Sequence, residues 1–481
     1  MALAGTLGEL RQAGYADRSV KQELRANLTA RLASGRALFP DIVGYEDSVI
    51  PTLERAILAG HDVIMLGERG QAKSRLIRRL TELLDERVPA VEGCELNDHP
   101  LRPICARCRT LVAAEGDATP ITWMRRSARF SEKLATPDTS VADLIGDVDP
   151  IRVAQGRYLS DELTIHYGLV PRTNRGIFAV NELPDLPERI QVSLLNILEE
   201  RDVQVRGYKI RLPLDLVLIA SANPEDYTHR GRIISPLKDR FGTQIRTHYP
   251  QRIGDEIRIM DQEASSLDGD IAVRVPRHLK EVIASLTAQL RTSPSVNQRS
   301  GVSVRFSIGA LEMLSASALR RAVLAGENEA VPRTVDLWAV LPALIGRIEF
   351  DALDEGREPE VVERALKHAL LDTWRRRLGR EDLSGVVARF EQGLEVETSD
   401  SMSAHALLAQ LGGGTRPFPV GGGGAQTLPL GRIVARLELP DESPGALAGA
   451  LEFCLEGLHL TKRLNKRAGE GSGSWTFGAP P

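Results

Sequence analysis

The chain is poor in the residues and segments that mark secreted and membrane proteins. It has 481 residues but only four cysteines, too few for a scaffold held together by disulfides. No stretch approaches the ~18 consecutive apolar residues of a membrane-spanning helix, and the first residues lack the apolar run of a signal peptide. We therefore expect a reduced, cytoplasmic protein that makes no membrane contact.

The chain also lacks a strong charge of either sign. Acidic and basic residues are mixed and the formal net charge is −4, so no overall field favours nucleic acid or a membrane surface. Apolar residues make up 42% of the chain, which is enough for packed cores. The length predicts about two to four domains.

The segment from Asp62 to Leu80, DVIMLGERGQAKSRLIRRL, has the order of a phosphate-binding loop. A short apolar strand precedes a glycine-containing loop, and Lys73 and Ser74 open an amphipathic helix whose N–H groups would face phosphates. Lys73 would reach the β- and γ-phosphates and Ser74 would bind Mg²⁺. Ala72 stands where the usual pattern has its second glycine, which restricts φ where the backbone wraps a phosphate. The predicted nucleotide contacts are Gly67, Glu68, Arg69, Gly70, Gln71, Ala72, Lys73 and Ser74.

Two later segments place polar residues at the ends of predicted strands. GIFAVNEL (176–183) is apolar up to Asn181 and Glu182, and LVLIASANP (216–224) is apolar up to its Asn223. Glu182 is suited to polarise the water that attacks a γ-phosphate, and Asn223 is suited to orient it. Asn181 stands where an Asp would hold Mg²⁺, so we expect a weaker Mg²⁺ site. Strands alternating with helices predict a parallel sheet with its ligand at the carboxyl ends.

Two arginines are candidates for contact with a γ-phosphate. Arg240 lies in SPLKDRF (235–241), just after the predicted sheet, and would act as an arginine finger if it reached a neighbouring subunit. Arg305 begins an amphipathic helix in the helical segment 254–372 and would report hydrolysis to a lid domain. An ordinary surface or structural arginine is the alternative for each.

Three of the four cysteines lie in EGCELNDHPLRPICARC (92–108). Cys105-x-x-Cys108 has the spacing of a zinc knuckle, and Cys94 and His99 offer two further soft ligands for Zn²⁺. Reduced thiols without a metal and a redox switch are the alternatives.

Composition and periodicity divide the chain further. The predicted parts are an N-terminal helical segment (1–35), a nucleotide-binding α/β domain (36–250) with an insertion at about 140–176 and a hairpin at 203–212, a helical lid (254–372), a helical extension (373–410), a Gly-rich linker (411–424), a small C-terminal module (425–466) and a disordered tail (467–481).

Taken together, these segments resemble an AAA+ ATPase of the clade formed by MoxR-type ATPases and the I-type subunit of magnesium chelatase. The resemblance runs over about residues 36–372 and rests on GERGQAKS (67–74), GIFAVNEL, ASANP (220–224), PLKDRF and the segment around Arg305. It implies an α/β fold: an AAA+ P-loop parallel sheet flanked by helices, followed by an all-helical lid and a small C-terminal module. The insertion and the hairpin then correspond to the helix-2 insertion and pre-sensor hairpin of the clade.

The resemblance also implies roles for individual residues. Lys73 and Ser74 belong to Walker A, Asn181 and Glu182 to Walker B, and Asn223 to sensor 1. Arg240 is then the arginine finger, and Arg305 is sensor 2.

A Mg²⁺-ATP-dependent motor is the function that the resemblance implies. Family members form hexameric rings with ATP between subunits, and they act with a partner that carries a von Willebrand factor A domain. The output would be chaperone-like maturation or metal insertion. One alternative is a true magnesium-chelatase ATPase subunit, against which the C-terminal module, Ala72 and Asn181 argue. Another is a nucleotide-gated scaffold with little hydrolysis, which Ala72 and Asn181 favour. Nucleic-acid work is disfavoured because the insertion holds no GAFTGA-type loop and the chain has no basic stripe.

Overall fold

A computed structural model describes most of the chain. The described residues are 3–148, 164–200, 212–223, 231–267, 269–298, 300–354, 356–411, 430–439, 443–469 and 473–480. The chain divides into two compact units, Met1–His248 and Tyr249–Pro481, which we name unit 1 and unit 2. Most of the hairpin predicted at 203–212 and of the linker predicted at 411–424 lies outside the described residues.

Unit 1 alternates strands and helices along the chain. Its described strands are β1 (Val63–Leu66), β2 (Arg87–Val91), β3 (Ile121–Arg125), β4 (Phe130–Leu134), β5 (Gly146–Val148), β6 (Ile165–Tyr167), β7 (Gly176–Asn181), β8 (Leu216–Ala222) and β9 (Thr243–Arg246). Its described helices are α1 (Leu7–Gln12), α2 (Val20–Ala33), α3 (Val49–Ala59), α4 (Lys73–Arg79), α5 (Ala106–Glu115), α6 (Val141–Leu144), α7 (Leu169–Arg172), α8 (Glu188–Glu200) and α9 (Ser235–Arg240).

The centre of unit 1 is a five-stranded parallel sheet in the order β4-β7-β8-β1-β9. The three central strands, β7, β8 and β1, are mainly apolar and buried because both faces are covered, with Ile64 and Phe178 in one core and Met65 and Ala179 in the other. Parallel strands place their carboxyl ends at the same edge, so the residues after β1, β7 and β8 meet there. The predicted parallel α/β sheet is therefore confirmed.

Helix α2 is fixed to the start of β7 by a buried ion pair. The helix begins with a capping box of Ser19 and Gln22. The Arg129 guanidinium donates to both carboxylate oxygens of Glu23, at 2.7 and 2.6 Å, and to the Arg175 carbonyl at 2.7 Å. Both side chains of the pair are at most 4% exposed. The N-terminal segment predicted at 1–35 thus belongs to the body of unit 1.

Unit 2 is mostly helical. Its described helices are α10 (Ile253–Glu263), α11 (Arg277–Thr292), α12 (Val304–Ala325), α13 (Thr334–Ile345), α14 (Glu358–Leu378), α15 (Ser384–Glu391), α16 (Ala404–Ala409), α17 (Leu430–Arg436) and α18 (Pro444–Leu460). Its described strands are β10 (Ala272–Val273), β11 (Glu329–Ala330), β12 (Val396–Ser399), β13 (Asn465–Ala468) and β14 (Ser474–Gly478). None of the described helices is both long and apolar enough to cross a membrane.

The C-terminal part of unit 2 differs from the prediction. Strand β14 pairs antiparallel with both β12 and β13, and Phe477 is 1% exposed, so the disordered tail predicted at 467–481 is wrong for the described residues. The Lys466 ammonium bonds Glu456 at 2.7 Å and lies 4.6 Å from the centre of the Trp475 ring. Helix α18 joins α11 and α14 in one hydrophobic core, so the lid, extension and C-terminal module predicted separately share that core.

Candidate nucleotide site and cysteine cluster

The loop between β1 and α4 requires glycine at its first position. A Cβ atom on Gly67 would lie 2.0 Å from Thr247 Oγ1 and 2.2 Å from Gln71 Oε1. The Gly67 N–H donates to the Ala222 carbonyl at 3.2 Å, which ties the loop to the end of β8. The loop therefore starts at the carboxyl edge of the sheet, as the sequence pattern predicts.

Two loop residues adopt left-handed backbone conformations. Gly70 has φ of 76° and Ala72 has φ of 55°. This region costs a residue with a Cβ atom about 1–2 kcal/mol, and glycine far less. Ala72 thus keeps the conformation suited to the missing glycine, at a cost in strain. The Tyr45 hydroxyl donates to the Gln71 carbonyl at 2.8 Å and helps hold the loop in place.

Lys73 lies at the centre of a polar network. Its side chain is buried, and its ammonium donates to the carbonyls of Gly67 and Glu68, the latter at 2.8 Å, and to Asn223 Oδ1 at 2.6 Å. Asn223 Nδ2 in turn donates to Glu182 Oε2 at 2.5 Å. The fold therefore brings together three residues that are far apart in sequence and that the motifs single out.

Glu182 follows β7 with an unusual backbone. Its φ and ψ are 56° and 47°, a left-handed conformation that a non-glycine residue keeps only when its surroundings enforce it. The Glu182 N–H donates to Ser221 Oγ at 3.3 Å, and the carboxylate accepts from Asn223. This geometry turns the carboxylate toward the end of β8.

Asn181 and Ser74 form the second part of the site. Asn181 Oδ1 accepts from Ser74 Oγ at 3.4 Å and from Ser221 Oγ at 3.1 Å. Asn181 Nδ2 donates to the carboxylate of Glu132, which also accepts from Arg78 Nε at 2.7 Å. Because Glu132 accepts from the amide nitrogen, the amide oxygen of Asn181 faces Ser74.

Glu132 is the residue of this network that the motifs miss. It lies on β4, which pairs with β7 so that Leu134 is opposite Asn181. Its hydrogen bonds to Arg78 raise the pKa of that guanidinium. The signal available in the sequence was an acidic residue in FSEKL (130–134), but FSEKL carries no periodicity that identifies it as a neighbour of β7.

The two predicted arginines lie in different units. Arg240 is the last residue of α9 in unit 1, and its side chain is exposed while Leu237 of the same helix is buried. Arg305 is near the start of α12 in unit 2 and is also exposed. Its N–H donates to Ser303 Oγ at 3.2 Å, and its carbonyl accepts from Arg347 at 2.9 Å. Their roles at a γ-phosphate remain predictions.

The cysteine-rich segment forms a compact cluster in the loop after β2. Ligand atoms of Cys94, Asp98, Cys105 and Cys108 all lie within 4.8 Å of one another, and we name these four residues the cysteine cluster. Hydrogen bonds from Cys105 and Cys108 lower the pKa of the Cys94 thiol to about 3. Burial raises the pKa of Asp98 to about 6. The pKa of one acidic group is lowered and that of its neighbour is raised, as expected when several acidic groups share one buried pocket.

His99, the fourth zinc ligand expected from the sequence, lies outside the cluster. Its Nδ1 accepts from the Leu101 N–H at 3.1 Å, and its Nε2 lies 3.5 Å from an oxygen of Asp17. Burial lowers the pKa of His99 to about 4, so the ring is neutral at pH 7. The neighbouring Asp98 occupies the place predicted for His99, because consecutive side chains of this turn point in different directions.

A parallel sheet with a phosphate loop, a buried lysine after it and polar residues at the ends of the next two core strands defines a P-loop nucleoside triphosphatase. A family model described as the sigma-54 interaction domain matches residues 155–240. Over 69% of this chain, the magnesium-chelatase 38 kDa subunit of Cereibacter sphaeroides is 28% identical, and the match covers 98% of that relative. The corresponding subunit of Acidiphilium rubrum is 29% identical over 96% of its length.

A solved complex of the magnesium-chelatase subunits BchI and BchD contains a chain that is 24% identical to this one. The match covers 67% of this chain and 98% of that chain, but its TM-score of 0.34 is too low to support a conclusion about the fold. Together with the geometry of the site, these similarities support an AAA+ ATPase related to the I-type subunit of magnesium chelatase.

Proposed function

We propose that the chain is a Mg²⁺-ATP-dependent motor that works as a ring and drives a partner protein. The observation that carries this proposal is the hydrogen-bonded path from Lys73 through Asn223 to Glu182. It joins the residue suited to bind phosphate to the residue suited to activate water. Such an arrangement suits transfer of a phosphoryl group to water, since catalysis of that reaction depends on positioning and electrostatics.

Ser74 and Asn181 are the residues that would hold Mg²⁺, which this ATPase family implies. A hydroxyl oxygen and an amide oxygen, 3.4 Å apart, fit a cation that prefers oxygen ligands and keeps several waters. Mg²⁺ would neutralise phosphate charge during the reaction. Asn181 carries no charge itself, so we assign the anionic contribution to Glu132, which acts as a positioning residue by orienting the Asn181 amide.

Each of the other site residues then has a defined task. Lys73 exchanges the carbonyls of its own loop for phosphate oxygens. Glu182 accepts a hydrogen bond from the attacking water, and Asn223 holds the Glu182 carboxylate in position. Arg240 projects from an exposed helix end, which suits contact with the nucleotide of a neighbouring subunit in the ring.

The partner is expected to carry a von Willebrand factor A domain. The support is the sequence relation to chelatase I-type subunits, from which metal insertion or chaperone-like maturation follows as the output. A nucleotide-gated scaffold is the second candidate, and Asn181 in place of an acidic residue favours it. The sigma-54 match does not favour work on nucleic acid, because the insertion has no GAFTGA-type loop.

Steady-state ATP hydrolysis across a series of protein concentrations tests the proposal. Wild-type turnover per chain should rise with concentration, because Arg240 acts from the neighbouring subunit. Glu182→Gln should lose turnover while it retains ATP binding. The matched control is Glu115→Gln, a change at the exposed end of α5, which should leave turnover unchanged.

The outcomes separate the two candidates. ATP binding without turnover at every concentration, with or without a von Willebrand factor A partner, would favour the scaffold. Turnover that is independent of concentration would contradict a finger acting in trans. Turnover retained by Glu182→Gln would remove Glu182 from the mechanism.

A further inference from the structure

The cysteine cluster has the dimensions of a tetrahedral metal site. Two sulfur ligands of one Zn²⁺ ion lie ~3.8 Å apart, given Zn–S bonds of ~2.3 Å. Cys94 Sγ and Cys105 Sγ are 3.9 Å apart. The four ligand atoms lie within 4.8 Å of one another, so a single cation can contact all of them after small adjustments.

The Asp98 carboxylate has one buried oxygen that no described residue satisfies. Asp98 is fully buried, with 0% of its surface exposed. Its Oδ2 accepts from the N–H groups of Ile104 and Cys105, each at 2.9 Å. Its Oδ1 is buried and has no hydrogen-bond partner among the described residues. Buried oxygens are rarely left unpaired, and a carboxylate oxygen of Asp98 lies within 4.8 Å of the sulfur atoms of Cys94, Cys105 and Cys108.

The backbone around the cluster is arranged to support thiolates. The Asp98 N–H donates to Cys94 Sγ at 3.4 Å, and the Cys108 N–H donates to Cys105 Sγ at 3.4 Å. Cys105 is the N-cap of α5, so Cys108 lies in the first turn of that helix. N–H groups that donate to sulfur stabilise the anionic form that binds metal.

The charge around the cluster also suits a divalent cation. Three thiolates and one carboxylate carry four negative charges, which would be strongly unfavourable in a buried site without a cation. Arg107 Nη1 lies 3.8 Å from Cys108 Sγ, and Arg107 Nη2 donates to the Glu92 carbonyl at 3.2 Å. A doubly charged cation and the Arg107 guanidinium would together offset three of these four negative charges.

We infer that Cys94, Asp98, Cys105 and Cys108 form a structural Zn²⁺ site. The thiols release their protons to solvent as the ion binds, and Asp98 Oδ1 takes the fourth position. The ion joins the loop after β2 to the start of α5. This inference is independent of the nucleotide site, so it stands or falls without the proposed motor function.

Metal analysis of the purified full chain is the first test. Protein prepared without chelators and without an affinity tag should contain about one zinc per chain by mass spectrometry. Apoprotein titrated with Co²⁺ should show the tetrahedral visible bands and the thiolate charge-transfer band of a site with several sulfur ligands. Substoichiometric zinc together with no thiolate band, or a Cys94–Cys105 disulfide in the mass of the native chain, would overturn the inference.

Variants identify the ligands. Cys105→Ser should abolish the thiolate band, and Asp98→Asn should weaken Co²⁺ affinity by at least about 10-fold. His99→Ala should leave the affinity unchanged, as should Cys454→Ser, which replaces the buried cysteine of unit 2. If His99→Ala weakens binding and Asp98→Asn does not, the assignment of Asp98 is wrong. The Co²⁺ titrations of wild-type and His99→Ala protein leave all four proposed ligands in place. They therefore remain decisive even if Cys105→Ser fails to fold.

Discussion

In the nucleotide site, Lys73, Asn223 and Glu182 form hydrogen bonds with one another, whereas in the cysteine cluster one oxygen of Asp98 has no hydrogen-bond partner among the residues that the structure describes. The first site must exchange internal bonds for bonds to its ligand, so its affinity is a difference between two sets of contacts. The second site would lose only weak thiol hydrogen bonds, such as the one between Cys94 and Cys105, when it binds a cation. Ligand binding is therefore expected to act mainly on activity at the first site and mainly on folding stability at the second.

Removal of the metal should give the largest effect. Without the cation, a buried carboxylate is left uncompensated, which costs about 3–5 kcal/mol. A strong chelator should therefore lower the unfolding midpoint of unit 1 by about 6–20 °C, as measured by calorimetry. Cys105→Ser should already unfold at the lower temperature and should not respond to the chelator. Equal stability with and without chelator would contradict the expectation that ligand binding at the cysteine cluster acts on folding stability.

Lys73→Ala should have the next largest effect, on nucleotide affinity. A hydrogen bond to a charged group contributes about 1.5–3 kcal/mol, so the Kd for a fluorescent ATP analogue should rise about 10- to 150-fold. Lys367→Ala is the control, because Lys367 makes an exposed ion pair with Glu363 on α14 and should change nothing. An unchanged Kd for Lys73→Ala would mean that the ammonium never leaves its internal partners.

Glu132→Gln should reduce the gain in nucleotide affinity that Mg²⁺ provides. The negative charge beside Asn181 is lost and the amide can turn, so the gain should fall about 10-fold, while affinity without Mg²⁺ stays the same. The double variant Glu132→Gln/Asn181→Asp moves the charge to the position after β7 and should restore the gain. If the single change has no effect on Mg²⁺ dependence, Glu132 is only a partner of Arg78.

Ala72→Gly should have the smallest effect. Glycine relieves left-handed strain of about 1–2 kcal/mol, while its freedom in the unfolded chain costs about 0.5–1 kcal/mol. We expect near-neutral stability and a nucleotide Kd lower by a few-fold at most. Ala30→Gly, at an exposed position of helix α2, should instead destabilise by about 1 kcal/mol. A large loss of nucleotide affinity in Ala72→Gly would contradict the assigned backbone strain.

The sequence predicts the nucleotide site better than the cluster, for a physical reason. Lys73, Glu182 and Asn223 follow apolar strands, and a parallel sheet must bring the ends of such strands to one edge. The position of Glu132 could not be predicted in this way, because β4 is less apolar and its sequence does not indicate which strand β4 pairs with. In the cluster, the three cysteines are evident, but the choice between Asp98 and His99 depends on the rotation of a single turn.

The C-terminal strands β13 and β14 could not be predicted from the sequence for a related reason. Residues 467–481 are rich in glycine and serine, which is typical of disorder. The pairing of β14 with β12 is a contact between distant parts of the chain and leaves no local pattern. Burial of Phe477 and the ion pair of Lys466 with Glu456 are visible only once the fold is known.

The position of β14 between β12 and β13 also has a consequence for the order in which unit 2 is made. A ribosome releases β12 many residues before β14, so β12 must wait with unpaired edges while the intervening helices emerge. The small sheet can therefore close only once β14 has emerged. Until then the nascent chain presents an open strand edge to other polypeptides.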